Sequence, residues 1–303
     1  MQIATHSTVF HADDAVAAAI LLAVFPGAKI VRSRDQSDFD ASDIVFDVGG
    51  SYDGTKFFDH HQRGGAGTRE NGVPFAAAGL IWKHFGAQYS QAIAEEHGIK
   101  VEALVAAVDE KFIQGIDATD CGATESNRHL KGNPDVPIEL MSISLLISSL
   151  NPVSLIEESS VANFDTSFGK AVELATLALQ RVVLEEVSCI KAANIVRSCD
   201  TGAPVLELTE FCPWQETVIA EMGHVQLVVF QAPDGGWRVQ TVPIALGQFE
   251  ARLDLPESWA GLRDESFKKA TGVNDAIFCH PGRFIAGAGS RESVKRLAEL
   301  ALA

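Results

Sequence analysis

Apolar residues follow two rhythms along the first half of the chain. Short runs, "MQIAT", "KIVRS" and "DIVFDV", read as buried strands. Between the first two lies "DAVAAAILLAVF", residues 14–25, an Ala/Leu-rich helix that "PGA" stops. Asp13 and Asp14 stand at its start, where carboxylates suit the unpaired N–H groups and the positive end of the dipole. Strand, helix, strand, strand is the opening of an α/β domain with a mostly parallel sheet.

Helical periodicity follows. "PFAAAGLIWKHFG" is a helix ended by its glycine, and "GIKVEALVAAVDEKFIQGIDATDCG" is largely a second, broken near Asp117. "PIELMSISLLISSLNP" is a third, closed by Asn-Pro. The amphipathic stretch "FDTSFGKAVELATLALQRVVLEEVSCIKAANIV" reads as one long helix joining two domains. After it, "PVLEL", "VQLVVFQ" and "WRVQTVPI" are strand-like, with "APDGG" as a hairpin turn. "SRESVKRLAELALA" closes the chain as a helix with Ser290 as N-cap. The division expected is 1–160 for a metal-binding catalytic domain, 161–200 for a linking helix and 201–303 for a smaller α/β substrate-binding domain.

Composition narrows the function classes. With 24 Lys+Arg against 40 Asp+Glu the formal charge is −16, so a diffuse basic surface for long duplex nucleic acid is not expected. The 5 cysteines are scattered without a C-x-x-C pair, which argues against a zinc ribbon or a disulfide framework and fits a reducing cytoplasm. No basic leader precedes the first polar cluster, and no apolar run nears the roughly 20 residues that span a bilayer. A cytoplasmic protein without membrane contact is the expectation.

Polar clusters then stand where strands end: "THSTVFHADD" with His6, His11, Asp13 and Asp14; "DVGG" with Asp47; and "FDHH" with Asp59, His60 and His61. "GIDATDCG" adds Asp117 and Asp120. In open α/β sheets ligands gather outside the carboxyl ends of the strands, so these clusters are expected to converge. Converging carboxylates repel one another and need cations. Mixed imidazole and carboxylate donors suit Mn²⁺, Fe²⁺ or Zn²⁺, and a donor set of this size suits two ions.

Singly, each residue also has a plain structural role. Asp13 or Asp14 can be a helix cap, and Asp47 before Gly-Gly can start a turn. Three adjacent polar residues after "KFF" are harder to explain so. His84 reads as a structural helix residue, His97 as exposed near a helix end, His129 as a loop residue and His224 as a turn residue. Trp214 in "CPWQE" is either a base-stacking platform or a core residue, with the core favoured. "HPGRFIAGAGSRE" is either a phosphate-binding loop or a tight hairpin beside a helix cap.

Taken in order, "THSTVFHADD", "FDVGGSYDG", "FFDHHQRG", "AAAGLIWKHFG", "IDATDCG", "CPWQE", "GGWRVQTVP", "LPESWAGLRDE" and "HPGRFIAGAGSRE" resemble the melanocyte-proliferating-gene exonuclease family, also known as a "metal-dependent protein hydrolase" group, over nearly the whole chain. That family is similar to the DHH phosphoesterases. The resemblance implies a DHH-type N-terminal domain with a parallel sheet flanked by helices, a centre of Mn²⁺ or Mg²⁺, two ions in all, and 3′→5′ exonuclease activity on short single-stranded RNA or oligonucleotides through a water activated by two metals.

Carried over by position, the metal ligands are His6, His11, Asp13, Asp47, His60 and Asp117, with Asp120 in reserve for Asp117. His11 stands where many DHH relatives have their first aspartate. Asp47 bridges, His61 faces phosphate or supports a ligand, and Asp59 orients an imidazole. Asp47, Asp59, His60 and His61 form the catalytic set. Arg63, His280, Arg283, Gly287, Gly289 and Arg291 form the substrate-binding set. The alternatives are a small-molecule phosphohydrolase acting on a nucleotide, cyclic dinucleotide or pyrophosphate, and a non-catalytic metal or nucleotide sensor. A metallopeptidase is disfavoured, since no H-E-x-x-H occurs. A homodimer is left open.

Overall fold

The structure, a computed structural model, describes residues 1–124 and 140–303, with the backbone of strands Arg128–Leu130 and Asn133–Ile138. The His129 side chain lies outside the described residues. Two compact units divide the chain, Met1–Val187 and Ser188–Ala303.

The first unit opens β1 (Gln2–Thr5), α1 (Ala12–Val24), β2 (Lys29–Arg32), α2 (Gln36–Ala41), β3 (Ile44–Phe46) and β4 (Phe57–Phe58). The strands form one sheet of order β2-β1-β3-β4, parallel throughout, with Ile3 opposite Ile44 and Val45 opposite Phe57. One face buries Ala4 and Val45 under Phe39 of α2. The other carries Ile3, Ile44 and Phe46, all buried. Burial on both faces explains why these strands read as continuous apolar runs.

Then come α3 (Ala77–His97), α4 (Val101–Val108), a π turn at Asp109–Ile113, and α5 (Gln114–Asp120). The hairpin β5 (Arg128–Leu130) and β6 (Asn133–Ile138) follows, and then α6 (Ile143–Ser148) and α7 (Val161–Ser198). Helix α1 packs along α3 and also meets α5 and α6. The loop before α1 is tied down by Asn151, whose side chain donates to Phe10 O at 2.8 Å and accepts from Phe10 N at 3.0 Å.

The second unit holds β7 (Val205–Glu207), α8 (Gln215–Glu221), β8 (Leu227–Gln231), β9 (Trp237–Thr241), α9 (Asp264–Thr271), β10 (Ala276–Cys279), β11 (Ile285–Ala288) and α10 (Arg291–Leu302). Its sheet runs β10-β11-β9-β8-β7, antiparallel except for the parallel β7–β8 pair. Alternation along β8 fills two cores: Leu227 and Val229 face Phe267 and Leu297, while Val228 and Phe230 share a core with Trp214, Val218 and Val196. The expected turn 232–236 joins β8 to β9, and the Ser290 hydroxyl caps α10 by accepting from Ser293 N–H. The fold is therefore α/β, with a parallel sheet flanked by helices and a second, mixed sheet. Among the described residues no helix is long and apolar enough to cross a membrane.

The structure departs from the sequence pattern in several places. Helix α3 does not stop at Gly86; it runs on to Gly98, which takes the left-handed conformation at φ 65°. Gly86 instead makes room for Trp82, whose ring would lie 2.9 Å from a Cβ at that position. The expected helix over 137–152 shortens to α6, capped by the Ser142 hydroxyl, since Pro137 and Ile138 belong to β6. The break expected at Asp117 lies earlier, at the π turn. The pattern did not reveal the short elements α2 and β4.

The two kinds of glycine separate on substitution. Trp82 cannot swing aside, because its indole N–H donates to Val105 O at 3.0 Å. Gly86→Ala should cost about 1–3 kcal/mol. Gly115 in α5 has nothing within 4 Å of its Cβ position, so Gly115→Ala should be neutral or stabilise by up to about 1 kcal/mol. Urea unfolding of both variants measures the contrast, and equal effects would contradict it.

Candidate metal centre

Three strands deliver donors from their carboxyl ends. His6 follows β1, Asp47 follows β3, and Asp59, His60 and His61 follow β4. Since β1, β3 and β4 are adjacent and parallel, these residues emerge side by side. Helix α1 adds His11 as N-cap with Asp13 and Asp14 in its first turn, and the end of α5 adds Asp120 and Cys121.

Asp47 sits at the middle. It is buried, and its backbone takes a left-handed φ of 55°, a conformation tolerated by Asp and Asn far better than by bulky residues. Its two oxygens meet different histidines. Oδ2 lies 3.1 Å from His6 Nε2, which is also 3.0 Å from Asp14 Oδ2. Oδ1 lies 3.2 Å from His60 Nε2, which is 3.3 Å from Asp120 Oδ2 and 3.9 Å from Asp13 Oδ2. Asp14 therefore does two jobs, since its Oδ1 accepts from His11 N–H at 3.0 Å.

Asp59 is buried and anchors the "DHH" turn. Its Oδ1 accepts from the backbone N–H groups of His60 and His61 at 2.7 and 3.1 Å and from His61 Nδ1 at 2.7 Å, while Oδ2 accepts from Gly50 N–H at 2.5 Å. His61 itself is exposed, with Nδ1 3.7 Å from Asp47 Oδ1. On the other side of His60, Cys121 Sγ lies 3.6 Å from Nδ1. Exposed His11 stands at the edge, 3.8 Å from Asp120.

The charges interact strongly. Burial pushes the Asp13 carboxyl well above the usual range, helped by Asp47, Asp120 and Asp14. Burial also opposes ionisation of Asp47, but the His6 and His60 rings override it and hold that carboxyl at about 2. Burial pulls His6 down, yet Asp14 and Asp47 prevail and lift it to about 10. Neither oxygen of Asp13 has a hydrogen-bond partner, although the residue is fully buried. A buried carboxylate without donors is costly, and a divalent cation against Asp13, Asp47, His60 and Asp120 would supply what it lacks. The donor groups that could hold an ion share members: His6–Asp14–Asp47, Asp47–Asp59–His60–His61, His60–Asp120–Cys121 and His11–Asp13–Asp120. A cavity of about 480 Å³, lined by His6, His11, Arg34, Asp47, Asp59 and His61, opens on one side, and one of about 270 Å³, lined by His11, Asp13 and Asp120, on another.

The structure brings His6, His11, Asp13, Asp47, Asp59, His60 and His61 together and leaves out Asp117. That carboxylate is buried against the start of α3, where Oδ1 accepts from Gly79 N–H at 2.9 Å and Oδ2 lies 2.8 Å from Arg69. Burial lifts it to about 7, with Arg69 pulling the other way. This placement has a steric mark: a Cβ on Gly79 would lie 1.8 Å from Asp117 Oδ2, so the glycine is what admits this carboxylate. Asp120, one turn on, reaches the cluster instead. Asp14 and Cys121 also belong there, and an acidic doublet opening α1 was the available signal for Asp14.

The expected substrate-binding residues are scattered. Arg63 is exposed beyond the "DHH" turn. "HPGRFIAGAGSRE" is the hairpin β10–β11 and the start of α10. Within it Arg283 pairs with Asp254 at 2.8 Å and Arg291 pairs with Glu207, so neither guanidinium is free. His280 Nδ1 accepts from Gly282 N–H at 2.9 Å. Gly287 makes room for the Phe278 ring, 2.7 Å from a Cβ placed there, and Gly289 abuts Asp275. Trp214 is a core residue, and His84 meets Tyr52 OH at 2.8 Å.

Comparison with known proteins places this geometry in a family. Residues 2–302 match the model of MYG1_exonuc, described as "Uncharacterised protein family (UPF0160)". The MYG1 protein of Saccharomyces cerevisiae is 36% identical over 100% of this chain and 96% of its own length. Proteins named MYG1 exonuclease are 33% identical in Bos taurus and 32% in Homo sapiens, over 100% of this chain and 84% and 86% of theirs. A solved structure described as "pGpG-specific phosphodiesterase - PggH from Vibrio cholrae" matches with TM-score 0.33 and 13% identity over 99% of this chain and 97% of that one, a likeness on which no argument rests. With family model and relatives matching from end to end, the chain belongs to the MYG1 exonuclease family.

Proposed function

We propose that the chain is a divalent-metal-dependent phosphoesterase of the DHH type, a 3′→5′ exonuclease on short single-stranded RNA or oligonucleotides. The observation that carries the metal reading is Asp13, a fully buried carboxylate with two unpartnered oxygens facing other acids and a histidine. The nuclease reading draws on relatives named MYG1 exonuclease. The assigned ions are Mn²⁺ or Mg²⁺, which supply Lewis-acid activation and charge neutralisation at phosphorus when bound.

His6, Asp14 and Asp47 Oδ2 would hold one ion, and Asp47 Oδ1, His60, Asp13 and Asp120 the other, so the two oxygens of Asp47 favour a bridging role. Asp59 fixes the His60–His61 backbone and the His61 ring. His61, exposed on the larger cavity, would meet substrate oxygen in this reading. The formal charge of −16 suits short substrates held at a local site better than long ones held along a basic track.

A 5′-labelled short RNA incubated with protein and Mn²⁺ should give a ladder shortening from its 3′ end, absent with EDTA or with Asp47→Ala. Asp59→Asn should lower metal affinity or activity about 10–100-fold by loosening the histidines. Intact RNA, with turnover of a cyclic dinucleotide or pyrophosphate instead, would move the assignment to small phosphoesters.

Metal binding has its own test in thermal unfolding. Mn²⁺ at 100 times its Kd should stabilise the native chain by about 2.7 kcal/mol. Asp13→Asn removes a carboxyl whose ionisation burial and three neighbouring acids oppose, so the metal-free variant should gain on the order of 1–3 kcal/mol and lose most of the Mn²⁺-induced gain. Equal Mn²⁺ shifts in both proteins would exclude Asp13 from the ion site.

A further inference from the structure

The fourth strand of the first sheet also ends at the larger cavity. Arg34 stands two residues beyond β2 and lines the space that His6, Asp47, Asp59 and His61 border. The four parallel strands thus deliver, in sheet order, an arginine from β2, a histidine from β1, an aspartate from β3 and the Asp-His-His turn from β4.

Arg34 differs from other arginines of this unit in having no partner among the described residues. Arg32 is committed to Asp165 at 3.0 Å and Thr8 O at 2.7 Å. Arg69 is bound to Asp109 and Asp117. Arg34 is exposed, and among the described residues no carboxylate pairs with it. Nor are the acids of the cavity free to take it, since Asp59 accepts from the N–H groups of Gly50, His60 and His61 and Asp47 is held between His6 and His60. An unpaired guanidinium beside metal-ligating side chains is built to receive an anion, and its planar fork matches phosphate oxygens.

Spacing bears on which phosphate. Strand β1 separates β2 from β3, and strands lie about 4.8 Å apart, so Arg34 starts about 10 Å from the line of Asp47. Cations held at Asp47 also repel a guanidinium at short range, which favours a separate anion between them. We propose that Arg34 binds the phosphate next to the one presented to the metal cluster, so that the site prefers chains with at least two phosphates over a single phosphodiester. This rests on reading the cluster as a phosphoesterase centre.

The experiment compares a ribodinucleotide, with one phosphodiester, and a ribotrinucleotide, with two, on the full chain in Mn²⁺. Wild type should show a KM lower by on the order of 10-fold for the trinucleotide, as loss of one hydrogen bond to a charged group implies. Arg34→Ala should bring the two KM values together, and Arg34→Lys should restore part of the gap. A fluorescein-labelled 2′-O-methyl phosphorothioate trinucleotide, followed by anisotropy, reads binding without turnover. Its log affinity against log salt should flatten by about 0.7 in Arg34→Ala. An unchanged KM ratio and salt slope in Arg34→Ala would overturn the role of Arg34. Equal KM rises on both substrates would place Arg34 on the reacting phosphate and overturn the second-phosphate assignment. Failure of wild type to cleave either substrate, with an Arg34-dependent salt slope retained, would sink the phosphoesterase reading and leave the Arg34 contact standing.

Discussion

Mutual repulsion among buried carboxylates is the constraint around which the first unit is organised. Asp13, Asp14, Asp47 and Asp59 are all buried, and Asp120 adjoins them. In a low-dielectric setting such charges tolerate one another only with opposite charge between them. Two imidazoles supply some of it, because His6 and His60 each bridge carboxylates and are both driven toward their protonated forms. Asp13 receives the least, with His60 Nε2 3.9 Å away and no hydrogen bond to either oxygen, and those unpartnered oxygens are the remainder of that balance. A core of apolar strands can bear this arrangement because the four buried acids enter from strand ends or from the start of α1, at the rim of the sheet, and Asp120 joins them from the end of α5.

Elsewhere acids and bases are matched within each unit. Arg69 neutralises Asp109 and Asp117, Arg32 takes Asp165, Arg283 takes Asp254, and Arg291 takes Glu207. Most of these pairs reach an exposed side chain and contribute little stability. Their consequence is for chemistry: a paired guanidinium must break a contact before it can meet a substrate. That is why "HPGRFIAGAGSRE", which has the composition of a phosphate loop, behaves as a hairpin whose glycines serve packing against Phe278 and Asp275.

Much of the scaffold was legible from the sequence because its signals are local. Strands buried on both faces leave unbroken apolar runs, as β1 and β3 do, while β2, at the sheet edge and only half-buried, falls on the shorter run "KIVRS". The last helix announces itself through Ser290 and a clean amphipathic stripe. The convergence of His6, Asp47 and the Asp-His-His turn followed from one topological rule, that parallel strands present their carboxyl ends together. What escaped depended on distant contacts. Two-residue β4 is a strand only because it pairs with β3, and Gly86 reads as a stop unless the position of the Trp82 ring is known.

The choice between Asp117 and Asp120 shows the limit most clearly. Both lie on α5, three residues apart, so they project from neighbouring positions on one turn. Which of them faces the cluster depends on the phase in which α5 leaves the preceding helix. The π turn at Asp109–Ile113 sets that phase. Each i→i+5 closure adds one residue to a turn, about 100° of helical rotation relative to an unbroken α-helix. With that shift, Asp117 meets Arg69 and the start of α3, and Asp120 meets His60. The carry-over by motif position took Asp117 and held Asp120 in reserve, because two acids three residues apart in "GIDATDCG" carry no record of this phase. The π turn is itself held by contacts remote in sequence, since Asp109 at its first position accepts from Arg69 at 2.7 and 2.6 Å. One arginine therefore fixes both the phase of the helix and the fate of Asp117, and leaves Asp120 as the acid available to the centre.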